Sequence, residues 1–304
     1  MNTLEKISVW LFVMCLSIPI TSFASNKHVT TKNYIMETVT YKVISDQELK
    51  LDLYLPKKKI LNPVPLIVWI HGGAWERGSK DDLLIKNKLL CQRLLNEGYA
   101  VATLNYRLSG EAIFPAQVAD VNSAINYLMK NADAYSLKHH DVVVMGRSAG
   151  GHLASLISTS NNVHDTGFYP TDDQPAYHVV AAVVFFAPSD LTTLKGNSGK
   201  VDHDASDSAE AKLLGVSPRK RPDLAEWASP TTYVTKNTPP FLIFHGDNDQ
   251  VVPLSQSQHL QDMLNHVGVT NMLCVASGAH HGDSVFDTEK YVSKVITFVK
   301  VQFH

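Results

Sequence analysis

The sequence predicts an α/β fold, a mostly parallel eight-stranded sheet with helices on both faces. Three observations predict it. Continuous apolar runs such as Leu66-Ile67-Val68-Trp69-Ile70 and Val142-Val143-Val144-Met145 recur along the chain, and runs of that kind mark strands covered on both sides. Helical apolar patterns separate them, the alternation that builds parallel sheets. No internal repeat and no linker breaks the series.

The totals agree. A chain of 304 residues suits one large α/β domain or two small ones, and the absence of a linker makes one domain the economical reading. Hydrophobic residues make up 44% and charged residues 18%, with a formal net charge of −2. No block of like charge points to a nucleic-acid groove, a polybasic membrane patch or an acidic tail.

Lys6 precedes an apolar stretch over residues 7–20, and Ser22-Phe23-Ala24 follows. That order reads as a signal peptide over residues 1–24. The apolar run is short for a membrane span, and Met14 before Cys15 fits a lipoprotein site poorly. The expectation is a secreted or periplasmic protein, free of the membrane after cleavage, with a single domain over residues 25–304. Cys91 and Cys274 then remain, and both are expected as buried free thiols.

Val39, Tyr41 and Val43 alternate with polar residues, as do Leu49, Leu51, Leu53 and Leu55. Joined by Ser45-Asp46-Gln47, they read as an antiparallel pair with one solvated face. Pro56 ends the second strand, and Lys57-Lys58-Lys59 reads as a solvated loop. The buried strand 66–70 ends in His71-Gly72-Gly73-Ala74-Trp75. One helix is expected next, started by Ser79 and Asp82, carrying Leu83, Leu84, Leu90, Cys91, Leu94 and Leu95, and stopped at Gly98. Strand 100–104, the loop Asn105-Tyr106-Arg107-Leu108 and a helix opened by Pro115 follow, with Val118, Val121, Ile125 and Leu128 on one face.

After strand 142–145 and its helix, residues 161–178 read as a surface excursion, 179–186 as a buried strand, and 189–239 as a cap-like insertion with one helix, 206–214. Strand 241–244, helix 255–267, strand 272–275, the loop 277–283 and an amphipathic helix near 287–301 complete the chain.

The chemistry-bearing clusters all fall at predicted carboxyl ends of strands, where parallel sheets bind ligands. Gly146-Arg147-Ser148-Ala149-Gly150 follows a strand and opens a helix, the setting of a nucleophile elbow. A serine nucleophile needs a base, and a histidine base needs a carboxylate to hold its tautomer. For the acid, Asp247 and Asp249 both follow strand 241–244; Asp249, just ahead of Gln250-Val251-Val252-Pro253, is preferred, and Asp190 is a distant third. For the base, His281, which precedes Gly282, is preferred to His280. Backbone N–H groups of Gly73 and Ala74 can complete an oxyanion hole begun by Ala149. His71 is expected to hold that loop, and Trp75 either to wall the pocket or to anchor the loop. Among fourteen histidines no metal-ligand spacing appears, so no metal or cofactor is expected.

These motifs carry a resemblance. HGGAW, NYRL with FPA and Asp120, GRSAGGHLA, HGDNDQVVP and GAHHG resemble the α/β-hydrolase esterases of the hormone-sensitive-lipase-like group, above all the BD-FAE-type carbohydrate esterases. The stretch His203-Asp204-Ala205-Ser206-Asp207-Ser208-Ala209-Glu210, with Leu213-Leu214-Gly215 and Ser229-Pro230-Thr231-Thr232-Tyr233-Val234, resembles that family specifically. The similarity runs over roughly residues 35–300. It implies Ser148 as nucleophile, Asp249 as acid, His281 as base, and Gly73, Ala74 and Ala149 as the oxyanion hole. It also implies hydrolysis of short acyl or hydroxycinnamoyl esters, on small molecules or on oligo- and polysaccharides such as xylan. Two departures stand out: Ala74 replaces a glycine, and GAHHGD stands where GAGHGF is usual, which predicts a more polar rim near the base. The HGG-x-W loop with Gly78, Lys80 and Asp81 also resembles kynurenine formamidases, an amidase alternative that the export signal disfavours. A non-catalytic binding protein on this scaffold would lack a site residue, whereas all three are present.

Overall fold

Alternating apolar side chains near the N-terminus pair into an antiparallel ladder, and continuous apolar runs behind it build the parallel part of one nine-stranded sheet. The computed structural model describes residues 28–58, 61–161, 163, 166–169, 175–194 and 201–303. The segment expected as a signal peptide, 1–24, lies outside the described residues.

Strands β1 (His28–Thr30), β2 (Tyr34–Ile44) and β3 (Gln47–Pro56) are antiparallel neighbours. β4 (Val64–Ile70) is buried at every position. Next come α1 (Asp82–Lys86), α2 (Lys88–Asn96), β5 (Ala100–Leu104), α3 (Ala116–Lys130) and the single turn α4 (Ala132–Tyr135). β6 (Leu137–Arg147) leads into α5 (Ala149–Ser160), and β7 (His178–Phe185) follows. The segment after β7 holds α6 (Ala209–Leu214), α7 (Pro222–Trp227) and a 3-10 turn, Pro230–Tyr233. β8 (Phe241–Gly246), α8 (Leu254–His266), β9 (Asn271–Ala276), a 3-10 turn Ser284–Asp287 and α9 (Glu289–Lys300) close the chain.

The sheet order is β1-β2-β3-β5-β4-β6-β7-β8-β9, with β4 through β9 parallel. Period-two alternation along β4 sends Leu66, Val68 and Ile70 into one core and Ile67 and Trp69 into the other. The first core receives Val118, Val121, Ile125 and Leu128 of α3, the face of α5 and Leu260 of α8. The second receives Leu90, Cys91 and Leu94 of α2 and Val292, Val295 and Val299 of α9. Helices thus cover both faces.

Several details differ from expectation. The ninth strand is β1, whose three residues are too few to give a period. β3 has no fully solvated face: Tyr54 packs in the second core, and buried Asp52 accepts hydrogen bonds from Thr38 Oγ1 at 2.6 Å and Lys80 Nζ at 2.8 Å. The single helix expected before Gly98 is two, because Asn87 leaves the helical region at φ −139°, ψ 44°. The Asp287 carboxylate, from far along the chain, accepts from Leu89 N and Leu90 N and so caps α2. Asp82 pairs with Lys86 at 2.7 Å instead of reaching back to Ser79.

Residues 161–178 are not merely a surface excursion. Phe168 and Tyr177 are buried, and the Phe168 ring packs against Phe114, Trp227 and Tyr233. The cap-like segment carries the additional helix α7, whose single buried residue, Ala225, left no apolar stripe to read. The expected helix 206–214 begins only at Ala209, where the Ser208 hydroxyl accepts from Ala211 N at 3.0 Å. Cys91 and Cys274 are free thiols; burial pushes Cys91 up to about 12, whereas Cys274, on the edge strand, is only half-buried.

Candidate active site

The turn from β6 into α5 is tight enough to exclude side chains on both flanks of Ser148. A Cβ on Gly146 would lie 2.3 Å from Gly150 O, and one on Gly150 would lie 2.1 Å from Ile70 O. Ser148 itself sits at φ 53°, ψ −127°, a strained region for a residue with a side chain. The strain is held by two backbone bonds: Ser148 N–H donates to Phe185 O, and His152 N–H donates to Ser148 O, each at 2.9 Å.

Two loops at neighbouring strand ends meet this serine. The loop after β8 brings Asp249 and the loop after β9 brings His281. His281 Nδ1 lies 2.7 Å from Asp249 Oδ2, and His281 Nε2 lies 2.9 Å from Ser148 Oγ. A carboxylate only accepts, so Nδ1 carries the ring proton and Nε2 is left to accept from the serine hydroxyl. Asp249 Oδ1 accepts from Val251 N and Val252 N, both at 2.9 Å. Burial alone would raise the Asp249 carboxyl, but the imidazoles of His245 and His281 and the Val251 N–H outweigh it and hold the acid well below the usual carboxylate range.

Three further residues brace this chain, and none was assigned a role from the sequence. His245 is fully buried, its Nδ1 2.7 Å from Ser257 Oγ and its Nε2 2.9 Å from Val252 O and 3.4 Å from Asp249 Oδ2. Arg147, between the strand end and the serine, donates to Gly282 O at 3.1 Å, the residue after His281. Its guanidinium also lies over the Phe186 ring, and Phe186 packs edge-on against the His281 imidazole at 4.8 Å. The only sequence signal was position: Arg147 inside the elbow and His245 inside the acid motif.

The remaining candidates are engaged elsewhere. Asp247 Oδ1 accepts from Gly278 N at 2.6 Å and so pins the turn ahead of the histidines. Asp190 accepts from Thr192 N and from the hydroxyls of Thr192 and Thr193. His280 is exposed and meets Asn248 Nδ2 at 3.2 Å. Asp283, expected on the rim, accepts from Val285 N at 2.9 Å and caps the following 3-10 turn.

The loop after β4 abuts the elbow from the other side. A Cβ on Gly72 would lie 3.3 Å from Ser148 Cβ and 2.7 Å from Arg147 O. Gly73, Ala74 and Trp75 follow with φ of 120°, 57° and 56°, a left-handed run that turns the backbone sharply. The Trp75 ring is buried edge-on against His152, so it anchors the loop and does not wall an open pocket. Burial holds His152 at about 4, hence neutral, with its Nε2 2.7 Å from Ala228 O. His71 stacks on Tyr106 at 4.3 Å, and its Nδ1 lies 2.8 Å from Gly72 O. Ala149 supplies the first N–H of α5, which has no intrahelical acceptor and points with the positive end of the helix dipole. Gly72 and Ala149 therefore adjoin Ser148 from two elements, and Gly73 and Ala74 follow Gly72 in the same loop.

Residues 51–264 match the BD-FAE family. Esterase LipC of Mycobacterium tuberculosis is 28% identical over 247 residues, covering 78% of this chain and 57% of that protein. The probable carboxylic ester hydrolase LipM of the same organism is 30% identical over 217 residues, 70% of this chain and 47% of that one. The chain thus spans about half the length of the curated relatives it matches. Among solved structures, a truncated form of a carbohydrate esterase from gut microbiota superposes with a TM-score of 0.76 at 30% identity, covering 92% of this chain and 98% of that one. A bifunctional GH43-CE protein of Bacteroides eggerthii gives 0.72 at 33% identity, covering 83% of this chain and 36% of that one.

Proposed function

The chain belongs to the BD-FAE family, and from that premise we propose that it is an exported serine esterase acting through an acyl-enzyme. The observation that carries this reading is the continuous hydrogen-bonded chain from Asp249 through His281 to Ser148, at 2.7 and 2.9 Å.

His281 Nε2 takes the Ser148 hydroxyl proton as Oγ attacks the ester carbonyl. The carbonyl oxygen becomes an oxyanion that accepts hydrogen bonds from Ala149 N–H and from the Gly73–Ala74 backbone. Asp249 keeps the imidazole in the tautomer that accepts from serine and steadies the imidazolium. The imidazolium then gives its proton to the departing alcohol oxygen, leaving the acyl group on Ser148. Water, deprotonated by His281, attacks that ester and releases the acid with Ser148 restored.

The alcohol is a carbohydrate, in line with the carbohydrate esterase from gut microbiota that this chain is similar to, and the acyl group is acetyl or hydroxycinnamoyl, as the resemblance of its motifs implies. Export to the periplasm or medium follows from the apolar stretch at residues 7–20 and the small residues behind it. The test is a panel of acetylated xylan, methyl ferulate, formylkynurenine and nitrophenyl esters of rising chain length. Release of acetate or ferulate by the wild type and not by Ser148→Ala supports the reading. Turnover of formylkynurenine alone would replace it with an amidase.

A further inference from the structure

The loop that carries Asp249 is held by two histidines from outside it. Its N–H groups at Val251 and Val252 both go to Asp249 Oδ1. Its carbonyls go outward: Val252 O to His245 Nε2 and Val251 O to His203 Nε2, each at 2.9 Å. His245 belongs to the strand that precedes the loop. His203 belongs to the cap-like segment, forty-eight residues away in the chain.

His203 is not a stray contact. Its side chain is 5% exposed, and its Nδ1 lies 3.0 Å from Oε1 of Glu210, also 5% exposed. The turn that presents it is built for the purpose. Ser208 Oγ donates to His203 O at 2.9 Å while capping α6, the helix that carries Glu210. Ser217 Oγ donates to Asp204 O at 2.7 Å. A carboxyl buried this deeply is costly unless it is compensated, and neither Glu210 Oε2 nor His203 Nδ1 makes an aligned hydrogen bond among the described residues, so the pair is held by its 3.0 Å approach. His203 joins this arrangement to the acid loop through Val251 O.

We propose that His203 and Glu210 form a positioning pair that, through the Val251 carbonyl, sets the alignment of Asp249 on His281. Chemistry dictates the form of the pair. A carbonyl only accepts, so His203 Nε2 must carry a proton to hold Val251. A bare Nδ1 lone pair facing a carboxylate at 3.0 Å is repulsive, so the pair holds one further proton and attracts as an ion pair. Glu210 thereby locks the imidazole with Nε2–H aimed at the loop. Release of that grip frees Val251, lets its N–H leave Asp249 Oδ1, and turns the carboxylate off His281.

This rests on the triad reading of the site, and the experiment separates the two. Two readouts are taken on folded variants: the downfield proton resonance of the His281 Nδ1–H···Asp249 bond, and kcat and KM on nitrophenyl acetate. His203→Phe and Glu210→Ala should each shift or broaden that resonance and lower kcat by roughly ten- to a hundredfold at unchanged KM, the scale of a small misplacement of catalytic groups. His203→Gln, whose amide donates to Val251 O, should restore the resonance and most of kcat. A folded His203→Phe or Glu210→Ala protein with wild-type resonance and kcat overturns the proposal, and so does an equal loss in His203→Gln and His203→Phe. If His203→Phe does not fold, Glu210→Ala alone decides the matter. If the wild type hydrolyses no ester, the esterase reading fails, while the resonance still decides whether the cap sets the acid.

Discussion

Two histidine–carboxylate pairs lie in two regions of this molecule, His281–Asp249 at the carboxyl edge of the sheet and His203–Glu210 in the cap-like segment. Each brings an imidazole nitrogen within 3.0 Å of a carboxylate oxygen. What differs is the rest of each side chain. Asp249 has two N–H donors on its other oxygen, whereas Glu210 Oε2 has none among the described residues. The far nitrogen of His281 faces a hydroxyl, which can give a proton; the far nitrogen of His203 faces a carbonyl, which can only take a hydrogen bond. So one imidazole is placed to act as a base and the other to clamp a backbone. The same two chemical groups, imidazole and carboxylate, become chemical or structural according to what the second nitrogen meets.

That contrast can be broken most severely at the hydroxyl. Ser148→Ala should lower kcat/KM by about 10⁴-fold or more in an ester-hydrolysis assay, since the remaining groups have no nucleophile to serve. Asp249→Asn should cost about 10⁴-fold by the same assay, because an amide can stabilise the wrong imidazole tautomer. Glu210→Gln, the matching change in the other pair, should cost less than about tenfold, because its amide N–H can still lock His203 Nδ1. Similar losses in the two variants would erase the distinction between a base and a clamp.

Arg147→Met probes the same edge from behind. It removes the donor to Gly282 O and the cation over Phe186. We expect steady-state kinetics to show a fall in kcat of about tenfold, with partial recovery in Arg147→Lys.

The smallest effect is on stability against pH. Burial lowers His203, but Glu210 and the Val251 carbonyl outweigh it and raise it above its ordinary value. Its contribution is therefore full below the unfolded histidine value and is lost as pH rises through the folded one. Asp249 is depressed, so its contribution is full above the unfolded carboxylate value and is lost on acidification through the folded one. Thermal melts should show Glu210→Gln removing about 2–4 °C of the alkaline decline while leaving the acid limb unchanged.

Legibility followed the range of the forces. Strands β4, β5, β6 and β8 were readable because a buried parallel strand declares itself in its own residues. The elbow was readable because close packing at Gly146 and Gly150 admits no side chain. The break at Asn87 was not, since the α2 cap is Asp287, supplied from the far end of the chain. Nor was burial of Phe168, which depends on rings contributed by Phe114, Trp227 and Tyr233. Asp249 and His281 were preferred from their motifs, but no pattern in the sequence exposes that the same loop is gripped by His203.

The esterase reading requires Ser148 to be a nucleophile activated by His281 and Asp249. Intact-mass measurement after treatment with a fluorophosphonate tests it most directly. One stoichiometric adduct is expected, mapped to Ser148 by peptide sequencing, absent from Ser148→Ala and strongly slowed in Asp249→Asn. An unmodified wild type, or an adduct that persists in Ser148→Ala, would contradict it.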